Sequence, residues 1–172
     1  MEKIAEKAKK GRSLLEKIFE LVPGYGGYHD KERRRSADKI LREFLAKRLE
    51  RTKKVILKLC GGLTDKGEIG LLKLLGRQMK KIEKIADKLR FANYGYTGLF
   101  ALTKIDAKIL DKLYEFDYSL ISQIHNIEQE LDQISKTKEI DKQGEVFTNT
   151  IEKLESALDE REKIIRKFEE EV

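Results

Sequence analysis

Apolar side chains recur along this chain at alternating steps of four and three, the spacing that gathers residues on one face of an α-helix. Ile4, Ala8, Gly11, Leu15, Ile18 and Val22 trace such a stripe and predict a first helix over 2–22. Pro23 and Gly24 end it, since proline cannot continue a helix and glycine accepts the left-handed turn. A second helix is predicted over 31–59, with Asp30 as N-cap and Glu32 in its first turn. Its line is Ala37, Leu41, Phe44, Arg48, Arg51, Val55 and Leu59. Two arginines break that line, so the apolar stripe drifts onto Leu45, Leu49 and Thr52. Gly61 and Gly62 read as the stop, and Asp65 with Glu68 as the capping pair of a third helix. The third seam is Leu72, Leu75, Met79, Ile82, Ala86 and Leu89.

Residues 99–102 read as a short helical turn, and Thr103 with Asp106 as a capping-box-like start. The fourth helix has the clearest pattern: Leu113, Asp117, Leu120, Ile124, Ile127, Leu131 and Ile134, apolar everywhere except Asp117. A polar loop over 136–144 precedes a last helix over 145–170, whose stripe is Phe147, Ile151, Leu154, Leu158, Arg161, Ile165 and Phe168. No alternating run of β-branched residues marks a strand. The expected fold is all-α: one domain over 1–172, an elongated antiparallel bundle of four to five long helices with coiled-coil-like packing.

Charge changes this picture in one respect. The net charge is +6, but residues 1–90 hold 26 basic and 13 acidic side chains, and residues 91–172 hold 11 and 18. The basic first half fits either an anionic partner or neutralisation by the acidic half. Cys60 is the only cysteine, so no intramolecular disulfide can form, and a cytoplasmic location is expected. No secretory h-region and no transmembrane run is present.

Candidate chemistry gathers in two glycine–tyrosine stretches. The first holds Tyr25, Tyr28 and His29 and runs into Arg33, Arg34 and Arg35; the second holds Tyr94 and Tyr96. Helices joined by short connections alternate in direction, which places both stretches at one end of the bundle. Tyrosine faces beside arginine forks suit a planar anion or a protein surface, and suit equally a plug that closes the bundle. Asp117, a carboxylate on an apolar seam, requires a partner, and Arg48 or Arg51 is the expected one. Neither His29 nor His125 follows a glutamate at di-iron spacing, so no metal ligand is expected. No nucleophile triad, Walker motif or dinucleotide fingerprint appears, and no catalytic residue or cofactor is expected.

Three functional expectations follow. The first is a non-enzymatic interaction or scaffold module, working through a protein partner or self-association at the tyrosine–arginine end. The second is binding of nucleic acid or an anionic membrane surface, without sequence reading, through the basic half. The third, of least weight, is a small anionic-ligand or enzymatic site at Asp117. The stretches PGYGGYHDKERRRSADKILRE, NYGYTGLF and LDKLYEFD resemble a prokaryotic all-helical family. The resemblance spans about residues 20–125 and implies no activity. It implies only that the two tyrosine stretches and Asp117 belong to one site.

Overall fold

All seven seam positions of the fourth helix are buried, Asp117 included. In the computed structural model, which describes residues 13–92 and 98–167, the chain is an all-helical bundle with no strand among the described residues. Helix α1 covers 13–21 of the described residues. It is followed by α2 (Arg34–Lys66), α3 (Ile69–Phe91), a single 3₁₀ turn (Leu99–Ala101), α4 (Ala107–Ile134) and α5 (Ile140–Arg166). Leu45, Leu49, Thr52 and Ile56 of α2 are buried while Val55 is exposed, so the stripe drifts as its two arginines require.

Two boundaries depart from expectation for identifiable reasons. Gly61 and Gly62 do not stop α2, which runs on to Lys66. The stop is Gly67, the residue with positive φ (70°). Its N–H donates to the Thr64 carbonyl at 3.2 Å, and the Glu68 N–H donates to the Leu63 carbonyl at 3.2 Å. This paired bonding is a Schellman close, which needs a left-handed residue just past the helix end. Asp65 therefore lies inside α2 rather than capping α3. The polar stretch 136–144 is likewise shorter as a loop than expected, because α5 begins at Ile140. At the start of α4 the cap is Asp106, whose Oδ1 accepts the Lys108 N–H at 2.7 Å.

A test follows from the first correction. Gly61 and Gly62 are exposed in mid-helix, and an added Cβ at either meets nothing within 4 Å. Gly61→Ala and Gly62→Ala should each raise stability by about 1 kcal/mol, read as a higher urea midpoint at unchanged slope. A loss of stability would mean that the helix is broken there.

Contacts divide the chain into two compact units. One comprises Met1–Phe44, Ala92–Leu120 and Ala157–Val172; the other comprises Leu45–Phe91 and Ile121–Ser156. In the second unit, polar pairs record the direction of each helix. Lys53 pairs with Glu83, and Arg90 with Glu50 at 3.5 Å, so α2 and α3 run antiparallel. Thr150 bonds Glu130 at 2.8 Å, and Gln143 bonds Gln133 at 3.1 Å, so α4 and α5 are antiparallel. Lys81–Glu152 at 3.0 Å and Lys84–Glu155 at 3.3 Å set α3 parallel to α5. Exposed pairs of this kind contribute little energy, typically about 0–1 kcal/mol, and serve here as markers of register.

Candidate functional site

The first unit contains a buried polar cluster that brings together Tyr25, Tyr28, Arg34 and Asp117 from the sequence-expected set. Helix α1 ends at the Pro23–Gly24 turn, and the chain folds back over the helices through Gly27. Gly27 has φ 74°, and a Cβ there would stand 3.1 Å from the Tyr114 hydroxyl and 3.2 Å from Leu15. Only glycine meets both demands, and the return turn presses Tyr25 and Tyr28 inward.

The Tyr28 ring is stacked between Phe100 (centroids 5.4 Å apart, planes 24°) and Tyr114 (5.5 Å, 16°), and Tyr25 meets its edge at 5.7 Å and 87°. Phe100 closes the second glycine–tyrosine stretch, so the described end of that stretch does reach the first. Tyr94 and Tyr96 themselves lie outside the described residues. Backbone groups are tied as well: the Tyr28 N–H donates to the Tyr114 hydroxyl at 2.9 Å. Arg34 Nε donates to the Tyr28 carbonyl at 2.7 Å, and its Nη1 to the Leu102 carbonyl at 2.6 Å. Arg34 thus ties the first stretch to the segment that follows the second.

Asp117 is the hub. Its Oδ2 accepts the hydroxyl protons of Tyr25 at 2.7 Å and Tyr28 at 2.6 Å, and its Oδ1 accepts Arg161 Nε at 2.6 Å. Arg161 Nη2 donates to the Tyr28 hydroxyl at 2.8 Å and stands 2.9 Å from Asp38 Oδ1. Asp38 Oδ2 accepts Arg42 Nε at 2.7 Å. Two carboxylates and two guanidiniums therefore balance within one buried cluster. The expected partner of Asp117 was wrong. Arg48 is bound bidentately by Glu128 at 3.0 and 2.6 Å, and Arg51 is exposed. The actual partner, Arg161, occupies the one charged position on the α5 stripe, as Asp117 does on that of α4. Asp38 and Arg42 carried no such signal.

Burial pushes the Tyr25 phenol far above its ordinary value, and Asp117 adds to the push. Burial likewise raises Tyr28; Arg161 opposes the rise, while Asp117 and Asp38 reinforce it. Both hydroxyls therefore keep their protons and act as donors to Asp117. Asp117, Tyr28 and Arg161 are each 0 % exposed, so no solute reaches the cluster in this conformation. Its chemistry is that of a keystone: a charge-balanced polar core in which Asp117 accepts three of the roughly four hydrogen bonds a carboxylate can take.

The remaining expected residues stand apart from it. His29 is exposed, with its ring 6.0 Å from that of Tyr114. Arg33 is exposed and pairs loosely with Asp30 at 3.5 Å, while Arg35 is half-buried. Among the described residues no group of three or more His, Cys, Asp or Glu side chains is placed to hold a metal ion. The chain matches no family model, no curated protein and no solved structure, so nothing is transferred to this site from a relative.

Proposed function

We propose that the chain is a non-enzymatic interaction module whose partner is an anionic polymer, held through its phosphates. The observation that carries this reading is a stripe on α2. Lys47, Arg51, Lys54 and Lys58 recur at steps of four, three and four, and all four are exposed. At 100° per residue they fall within one narrow face of the helix. No ion pair among the described residues engages any of them. Lys73, Arg77, Lys80 and Lys84 repeat the spacing on α3, also exposed, with Lys84 paired to Glu155. Rows of solvated cations without base-reading groups suit non-specific phosphate binding, in which released counterions supply the affinity. The buried tyrosine–aspartate cluster supports the non-catalytic half of the reading, since Asp117 is engaged by Tyr25, Tyr28 and Arg161.

Duplex and single-stranded nucleic acid should bind with a steep salt dependence. Replacing Lys47, Arg51 and Lys54 by glutamine should flatten the slope of log K against log salt by about 2–3, close to 0.9 for each duplex phosphate no longer neutralised. Filter binding across a salt series measures this. No salt-sensitive binding would remove the reading. Binding confined to vesicles of anionic lipid would reassign the partner to a membrane surface, on which a module can lie without spanning: no helix among the described residues is long and apolar enough to cross a membrane.

Self-association is a second reading, favoured by the exposed Ile69 and Phe91 at the two ends of α3. A sharp monomer in light scattering at micromolar concentration would remove it.

A further inference from the structure

The second unit carries a cavity of about 580 Å³, half open to solvent, between the end of α2, the start of α3, the end of α4 and the start of α5. That volume lies within the range of about 300–1,000 Å³ usual for small-molecule sites. Val55, Leu59 and Leu63 of α2 form one wall, with Leu71, Ile134 and Ile140 opposite. Every apolar wall is aliphatic and no aromatic ring lines the space, so it offers nothing on which a planar ring would stack. Three cations, Lys58, Lys66 and Lys138, also line it, against a single acid, Glu68. All three lysines are exposed, and no ion pair among the described residues engages them. Gly62 lines the cavity too, so that turn of α2 puts no side chain into it.

An aliphatic space with unneutralised positive charge at its edge has a definite chemical complement. We infer that the cavity is a binding site for a single-chain anionic amphiphile, its alkyl chain between the leucine and isoleucine walls and its carboxylate or phosphate head against Lys58, Lys66 and Lys138. The chain leaves water for apolar walls, which supplies affinity that grows with length. The head meets lysine ammonium groups, which accept a carboxylate or a phosphate as point charges without demanding one geometry. Lys58 is shared with the α2 stripe, but the site is separable from the polymer reading: Lys47, Arg51 and Lys54 do not line the cavity, and an alkyl chain plays no part in phosphate binding.

Calorimetric titration of the full chain with octanoate, decanoate and dodecanoate, below their micelle concentrations, tests this. One molecule per chain should bind, about fourfold tighter for each added methylene. Dodecyl phosphate distinguishes a phosphate-preferring head site from a carboxylate-preferring one, and either preference supports the site. Dodecyltrimethylammonium should bind at least tenfold more weakly than dodecanoate. Combined Lys58→Gln, Lys66→Gln and Lys138→Gln should weaken dodecanoate at least tenfold while leaving the gain per methylene intact. Leu63→Trp fills the space and should block binding; the protein has no native tryptophan, so its emission reports directly on the cavity. Gly62→Leu is a second filling variant whose Cβ meets nothing within 4 Å, so it spares the helix. Equal affinity for the cationic amphiphile, no dependence on chain length, or unchanged binding in both filling variants would overturn the assignment.

Discussion

Asp117→Ala is expected to cost about 3–5 kcal/mol of stability, the penalty for stranding a buried charge. Removing Asp117 takes from the buried Arg161 its 2.6 Å partner, and Asp38, which also meets Arg161, is already engaged by Arg42. It also takes the acceptor from the Tyr25 and Tyr28 hydroxyls. Against a total stability of roughly 5–15 kcal/mol for a typical domain, the variant should lie at the edge of folding. Arg161→Met should cost a similar amount for the opposite reason, since it strands Asp117. The double variant Asp117→Ala with Arg161→Met should be milder than the sum of the two, because Asp38 and Arg42 remain as a balanced pair. A coupling of about 1–3 kcal/mol in a double-mutant cycle, read from urea midpoints, is the expected result. A near-neutral Asp117→Ala would show that the cluster does not hold the fold, and would return Asp117 to consideration as a ligand group.

Alkali should unfold the protein through its phenols. Tyr25 and Tyr28 titrate near 10.0 in an unfolded chain and well above that when folded. Below pH 10 both states hold these protons, and the contribution to stability is flat. Above it the unfolded chain releases them while the folded chain does not, so stability falls as pH rises, by about 1.4 kcal/mol per pH unit for each tyrosine. The pair together should remove about 5 kcal/mol between pH 10 and pH 12. Lysines titrate in the same range, so the control is the Tyr25→Phe variant. It should lose part of the phenol-linked slope when urea midpoints are measured from pH 8 to 12, Tyr28 and Tyr114 supplying the rest. A slope identical to that of the parent protein would refute the assignment.

The sequence made the core legible along α4 and α5 and less so along α3, where Leu71 and Gln78 are buried while the expected Leu72 and Met79 are half-buried. The α4 seam from Leu113 to Ile134 is buried as its spacing requires. So is the α5 stripe through Ile165; Phe168 lies outside the described residues. Helix ends were harder to read, because composition does not reveal φ. Gly61, Gly62 and Gly67 look alike in a string of letters, yet only Gly67 takes the left-handed conformation that closes a helix. The hub was half legible. Asp117 was evident as a carboxylate on an apolar seam, and Arg161 as the guanidinium on another. Pairing them required knowing that those two seams face each other, which periodicity along one helix cannot supply. Arg48 and Arg51 drew the expectation towards α2 because they break its stripe, whereas Arg48 has Glu128 and Arg51 has solvent. Asp38 gave no sign, lying beside a stripe residue, Ala37, in an otherwise charged run.

The division into two units gives this protein separate spectroscopic reporters without any labelling mutation. All six tyrosines fall in the first unit, and there is no tryptophan, so the tyrosine bands of near-ultraviolet circular dichroism and phenol absorbance report on that unit alone. The single thiol, Cys60, falls in the second unit, half-buried on α2, where alkylation rate reports local opening. A denaturant titration followed by tyrosine ellipticity and by Cys60 alkylation therefore reads the two halves of one chain on two independent channels. Coincident curves would mark a single cooperative transition, and displaced curves would rank the two units by stability.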